Sequence, residues 1–163
     1  MALMRRPRLA DVQAQPCFRL ALTFVDGRRF VLDMRDDIAS FPGLAALKDE
    51  KAFSEVIVGD SGWTAEWPDQ DIQIGADTLL LDALAQAAPD ENTRTFIGWR
   101  ARTGFGLEQA AAALGVATRT ISRYSSGREA VPKTLALACK GWEALQREQT
   151  IQRTGLEAMS RIQ

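Results

Sequence analysis

The sequence has no histidine, only two cysteines and a single tyrosine in 163 residues. Without histidine, the usual general base of Ser-His and Cys-His catalysis is missing, and so is the commonest nitrogen ligand of zinc. Cys17 and Cys139 lie in different segments and are too few for a disulfide framework. Nowhere do about 18 apolar residues run together, so no membrane span is expected. The segment from Met1 to Gln15 is basic through Arg5, Arg6 and Arg8 but has no apolar run behind it. That is not the pattern of a secretory signal, and the expectation is a cytoplasmic protein. There is no internal repeat and no low-complexity stretch. These absences argue against an enzyme and leave no call for a cofactor or a metal.

What is present is an uneven distribution of charge. Residues 1–91 carry nine Lys and Arg against sixteen Asp and Glu, a balance of −7. Residues 92–163 carry eleven against five, a balance of +6. Opposite signs on the two halves argue for two domains and for a polyanion as partner of the basic half.

The first half reads as strands. Phe18, Leu20, Leu22 and Phe24 alternate with polar or small residues, and Phe30, Leu32 and Met34 alternate again after Asp26-Gly27. A two-residue loop at Asp26-Gly27 would put the two apolar rows on opposite faces. A three-residue loop, Val25-Asp26-Gly27, instead pairs Leu22 with Phe30, Leu20 with Leu32 and Phe18 with Met34, with Gly27 in the left-handed position. Further strands are expected around Val56-Ile57-Val58, across Trp63, Ala65 and Trp67, and at Ile72 and Ile74. Phe41 to Phe53 reads as a short helix or irregular crossover. Ala76 to Ala88 reads as a helix ended by Pro89-Asp90, which marks the domain boundary.

The second half changes to helical spacing. Five helices are expected, at roughly 91–103, 107–114, 118–125, 132–148 and 156–162. Glycines 104, 106, 115, 127 and 155 stand at the joins, and Pro132 is in a first turn. The 21 residues from Leu107 to Gly127 form a helix-turn-helix. Ala111 is small enough for two helices to cross, Gly115 permits a positive φ, and Val116 plugs the corner. Ile121 and Tyr124 place an apolar stripe on the inner face of the second helix. Its outer face is then Thr118, Arg119, Ser122, Arg123 and Ser126, with two cations and no acid. Such a face suits a groove lined by phosphates and base edges.

On these residues the sequence resembles the helix-turn-helix of the lambda repressor and Cro family, named for the xenobiotic response element. The resemblance spans about residues 93–145 and includes Arg100, Ala111, Gly115, Val116, Thr120 to Arg123, Gly127-Arg128, Pro132 and the apolar Leu135, Leu137 and Ala138. It implies that helix 118–125 is a recognition helix in the major groove, with Thr118, Arg119, Thr120, Ser122, Arg123 and Ser126 at the DNA. Arg128 and Lys133 would then meet the phosphate backbone. Two departures stand out. Gly106-Leu107 replaces the family's usual Ser-Gln, and Ala117 replaces the serine cap of the recognition helix, leaving Thr118 as the candidate cap. A helix-turn-helix used only for protein contacts is the alternative, but such copies tend to lose their cations. The N-terminal half is similar to a small family of unknown function whose members often occur near toxin–antitoxin genes. That resemblance rests on Phe24 to Gly27, Asp33, Leu47-x-Asp49, Phe53, Trp67-Pro68 and Asp71, over about residues 8–85.

Other candidates have plainer readings. Trp63 and Trp67 could stack a ligand, but period-two placement assigns both to the core. Asp36-Asp37 and Asp69-x-Asp71 read as solvated charges, for want of a third ligand. Cys139 reads as a buried, inert thiol. Arg5, Arg6 and Arg8 fit either a basic arm on DNA or a solvated tail. Leu135, Ala138, Trp142 and Leu145 are spaced for internal packing, and Trp142 with Leu145 could instead continue into a dimer seam.

The fold expectation is α+β: an acidic, antiparallel-sheet domain with a helix at 1–89, for dimerisation or partner binding, and a five-helix lambda-repressor-like domain at 90–163. The functional expectation is a transcriptional regulator that binds double-stranded DNA as a homodimer. An antitoxin, gripping a toxin through its N-terminal domain and repressing its own operon, is the alternative.

Overall fold

The structure, a computed structural model, describes residues 6–161. Arg5 of the expected basic arm and Ile162 of the expected last helix lie outside them. Two compact units divide the chain, one ending at Gln86 and the other beginning at Ala87.

The first unit opens with three antiparallel strands in the order β1 (Leu9–Gln15), β2 (Arg19–Phe24) and β3 (Arg29–Asp33). Leu20 faces Leu32 and Leu22 faces Phe30, the register that keeps one apolar face. Gly27 has φ 93° at the end of the hairpin loop, and its N–H donates to the Phe24 carbonyl at 2.9 Å. Phe18 lies outside the strand at φ 57°, yet its carbonyl still accepts the Met34 N–H at 2.9 Å, continuing the expected pairing. Strand β1 was not expected. A register shift between Leu9 and Asp11 breaks its alternation, so its two buried residues, Leu9 and Val12, stand three apart.

The crossover holds α1 (Arg35–Ser40), a 3-10 segment (Pro42–Lys48) and α2 (Glu50–Ser54), whose first turn is capped by the Asp49 carboxylate accepting the Lys51 N–H at 3.0 Å. A second antiparallel sheet follows in the order β4 (Ile57–Val58), β5 (Thr64–Trp67), β6 (Ile72–Gly75), and then α3 (Ala76–Ala87). Strand β1 lies against β4 and β5, and one core built on Leu22, Leu32, Leu47, Phe53, Trp67 and Leu79 joins both sheets to α3. Gln86 of α3 clips the open edge of β3. Its Nε2 donates to the Asp33 carbonyl at 2.7 Å and its Oε1 accepts the Asp33 N–H at 2.9 Å.

The two tryptophans part company. Trp67 is 1% exposed, and its indole N–H donates to the Phe53 carbonyl at 2.9 Å, so burial leaves no orphan donor. Trp63 is 45% exposed, which corrects the expectation that it joins the core. Its backbone is helical (φ −70°, ψ −22°) and closes a 3-10 turn, so the alternation of β5 never reaches it. The Arg8 guanidinium lies 5.4 Å from the centre of its ring, and the Arg8 carbonyl accepts the Val25 N–H, so Arg8 is tied to this unit.

The second unit is helical: α4 (Glu91–Thr103), α5 (Leu107–Leu114), α6 (Thr118–Ser125) and α7 (Lys133–Ser160). Among the described residues it has four helices rather than the expected five, because the stretches read as 132–148 and 156–162 run together through Gly155. A lone glycine costs a helix only about 1 kcal/mol, too little to break it without a proline. Pro132 stands just before the first turn of α7 rather than in it. The Asp90 carboxylate caps α4 by accepting the Thr93 N–H and hydroxyl, both at 2.8 Å, and these bonds hold its pKa below the usual carboxylate value. The same Thr93 hydroxyl accepts the Val131 N–H at 3.0 Å, pinning the approach to α7 against the start of α4. Trp99, Phe105 and Trp142 meet edge-to-face, with centroids 5.5–5.8 Å apart. Trp142 therefore packs inside its own unit. Cys139 is buried, which pushes its thiol up to about 12. Among the described residues no helix is long and apolar enough to cross a membrane.

Candidate nucleic-acid interface

The candidate interface is built on α5, the turn after it, and α6. The N–H of Gly106 before α5 is taken by the Gln109 side chain at 3.3 Å, half of a capping box that glycine cannot complete. At the other end Gly115 has φ 68° and ψ 34°, a left-handed conformation that costs glycine little. The Ala111 carbonyl accepts the N–H groups of both Gly115 and Val116, and this closes the corner. Ala110 and Ala111 are buried, as the crossing of two close helices requires.

The inner face of α6 consists of Ile121, fully buried, and Ser125. Tyr124, expected beside Ile121, is only half-buried. Ser125 takes the inner position one helical turn after Ile121, and its hydroxyl does two things. It donates to the Ile121 carbonyl at 2.5 Å and accepts from Arg100 Nη1 of α4 at 2.7 Å. Arg100, itself buried, donates its Nη2 to the Phe105 carbonyl at 3.0 Å. Sequence reasoning missed Ser125, because a serine at helical spacing does not look like core.

The structure places Thr118, Arg119, Ser122 and Arg123 along one accessible face of α6, as i, i+1, i+4 and i+5 spacing dictates. Thr118 and Arg119 are exposed, and Thr120 is half-buried towards the side of the helix. No side chain caps α6, so the expectation that Thr118 does so is corrected. Ala117 is the extended residue before the helix, and Thr118 is already its first helical residue. Ser126 turns back on the chain. Its hydroxyl donates to the Arg123 carbonyl at 2.9 Å and accepts the Arg128 N–H at 3.3 Å. Arg128 lies in the loop between α6 and α7, and Lys133 is the first residue of α7.

The four cations are not equivalent. Among the described residues Arg119, Arg128 and Lys133 are exposed and form no ion pair. Arg123 is held by Glu129, whose Oε2 accepts from Nε at 2.8 Å and pairs with Nη2 at 2.7 Å. The Arg123 guanidinium carbon also lies 5.3 Å from the centre of the Tyr124 ring. The carboxylate beside it raises the pKa of Arg123 above its ordinary value. Glu129 escaped the sequence reading because it is not on α6. It comes back to the helix through Gly127, whose φ is 73°.

Elsewhere the titratable groups do not assemble a metal site: among the described residues no three His, Cys, Asp or Glu side chains stand close enough. Asp36, Asp69 and Asp71 are exposed, as read from the sequence, whereas Asp37 is half-buried and its carboxyl is raised by that burial and by Asp36. Asp82 of α3 is pushed up to about 7, first by burial and then by the charge of Asp37.

A solved structure from Nitrosomonas europaea ATCC 19718, named Putative DNA Binding Protein NE0471, is 33% identical to this chain. The match covers 88% of this chain and 91% of that one, with a TM-score of 0.54. This chain belongs to the same family. Residues 9–84 match a family described as protein of unknown function (DUF2442), nearly the span over which the sequence resembles an uncharacterised family. No curated protein matches the chain.

Proposed function

We propose that this protein is a sequence-specific, double-stranded DNA-binding transcriptional regulator of the lambda-repressor type, acting in the cytoplasm as a binding protein rather than an enzyme. The observation that carries the proposal is the accessible face of α6, where Thr118, Arg119, Ser122 and Arg123 lie opposite the buried Ile121. Arg128 and Lys133 follow on the next segment and supply charge for phosphates. The +6 balance of residues 92–163 and the name of the Nitrosomonas relative support the same partner.

The protein binds as a homodimer, because one recognition helix of eight residues reads too few base pairs for genomic specificity. A second copy also has a surface to meet. Leu145, Ile151, Leu156 and Met159 on α7 are 58–72% exposed, and residues 143–161 carry three glutamates and three arginines. A neutral, apolar helix end favours its own kind over DNA or a strongly charged protein. The acidic N-terminal unit has the wrong sign for DNA, and its role is dimerisation or holding a partner. The −7 balance of residues 1–91 also favours a second reading, an antitoxin that grips a basic toxin. Co-expression with the product of a neighbouring short reading frame separates the two, since only an antitoxin purifies in a fixed ratio with it.

Titration of specific and scrambled duplexes at several salt concentrations tests the DNA-binding proposal. Arg119→Ala or Arg123→Ala should cost about 1–3 kcal/mol on the specific duplex and relax preference at one base pair. Arg128→Ala or Lys133→Ala should weaken both duplexes alike and lower the salt slope by about one unit. If neither α6 arginine affects binding to any duplex, the helix pair is a protein-contact fold and the proposal fails.

A further inference from the structure

We infer that Glu129 is a specificity-determining residue: it presents Arg123 to a guanine and penalises the approach of phosphate to that same arginine. The inference rests on the DNA-binding role proposed for α6 and adds a part that the helix itself does not contain.

A guanidinium carries five N–H donors in one plane, grouped along its edges. Glu129 occupies the edge formed by Nε and Nη2, one oxygen accepting from Nε at 2.8 Å and lying 2.7 Å from Nη2. The edge formed by Nη1 and Nη2 keeps two parallel N–H groups, the pattern that matches O6 and N7 of guanine. The Tyr124 ring, 5.3 Å from the guanidinium carbon, limits rotation of the group from another side. The backbone beneath is fixed as well. Ser126 bonds the Arg123 carbonyl at 2.9 Å and the Arg128 N–H at 3.3 Å, and Gly127 supplies the left-handed turn that returns Glu129 to the helix. An arginine held in this way loses less freedom on docking, which favours the one geometry it already has.

The negative charge has a second effect. A phosphate approaching Arg123 meets the Glu129 carboxylate and is repelled, whereas a guanine edge carries no net charge and is not. Arg119, Arg128 and Lys133 have no such partner among the described residues and stay open to phosphate. The division is between Arg123, which its carboxylate partner reserves for base reading, and Arg128 and Lys133, which bind the backbone of any sequence. Discrimination then comes partly from weakening the wrong complex.

The experiment uses the full-length chain and a duplex selected by it from a random library, with a scrambled version of that duplex as control. Glu129→Gln should tighten the scrambled duplex about threefold, by removing the repulsion, and weaken the selected one about threefold, by releasing Arg123. The selectivity ratio then falls by about tenfold, within the range that one base-pair preference supplies. Selection repeated with the variant should lose the guanine at one position. Arg123→Ala should lose the same preference, and the double variant should fall no further, because the two residues act as one unit. A ratio that Glu129→Gln leaves unchanged, or equal tightening on both duplexes, overturns the inference while leaving DNA binding intact. If the unaltered protein selects no duplex at all, the DNA-binding reading fails and the inference falls with it. Both side chains are largely exposed, so equal thermal unfolding of variant and parent should show that folding does not confound the comparison.

Discussion

Arg100 and Ser125 meet on the buried side of the helix pair, the guanidinium Nη1 donating to the serine hydroxyl at 2.7 Å. This bond ties α4 to the last turn of α6, so it sets where the exposed face of α6 stands relative to its own domain. A hydrogen bond from a charged donor to a buried acceptor is worth more than a neutral one, and deleting the acceptor leaves that donor short. Ser125→Ala should therefore destabilise the helical unit by about 1–3 kcal/mol in urea unfolding. A loss below a few tenths would mean that the pair does not bear on the packing of α6.

The two tryptophans of the first unit should respond very differently to truncation. Trp67→Ala empties a core site between both sheets and removes a donor to the Phe53 carbonyl, so it should cost about 3–5 kcal/mol. Trp63→Ala removes only an exposed ring stacked on Arg8 and should cost about 1 kcal/mol or less. Thermal unfolding of the two variants under one set of conditions checks the contrast, and equal losses would contradict the burial of only one ring.

Trp63 stands at the border between what the sequence shows and what it hides. Period-two alternation through Leu20, Leu22, Phe30 and Leu32 is local, and together with a glycine able to take φ 93° it left one self-consistent hairpin register. Gly115 and Ile121 were legible for the same reason, since a left-handed corner and a one-turn repeat both lie within a few residues. Trp63 extends an alternating pattern on paper, but the preceding 3-10 turn takes its backbone out of the strand. The shift between Leu9 and Asp11 does the reverse, concealing a real strand behind broken alternation. Polar contacts leave no periodic trace at all. Arg100 with Ser125 and Arg123 with Glu129 depend on how loops return, which is why the accessible face of α6 could be read from sequence but its supports could not.

The exposed end of α7 should govern assembly. Leu156→Glu together with Met159→Glu places charges on a surface that is already solvent-exposed, so the fold should be kept. Sedimentation velocity at tens of micromolar should then show monomer for the variant and dimer for the parent. A dimer that survives both substitutions would move the interface elsewhere, and a monomeric parent that stays monomeric on DNA would remove the homodimer from the proposal.

Asp82 should make the first unit less stable as pH rises. Burial on α3 and the neighbouring charge of Asp37 push its carboxyl up to about 7 in the folded protein, against 3.8 ordinarily. Below the ordinary value the group is protonated in both the folded and the unfolded chain, and it costs nothing. As pH rises through the interval up to about 7, the unfolded chain releases the proton and the folded one retains it, so folding is progressively penalised. Above that interval the penalty is constant. Asp82→Asn removes it, because the amide has about the same shape and never ionises. The variant should gain on the parent by about 1–2 kcal/mol between pH 5 and pH 8, after allowing for the part of the side chain that water reaches. For a unit of this size that gain is a rise in melting temperature of about 4–8 °C per kcal/mol, readable by circular dichroism at the two pH values. A gap between variant and parent that is the same at both pH values would show that Asp82 ionises as freely in the folded protein as in the unfolded chain.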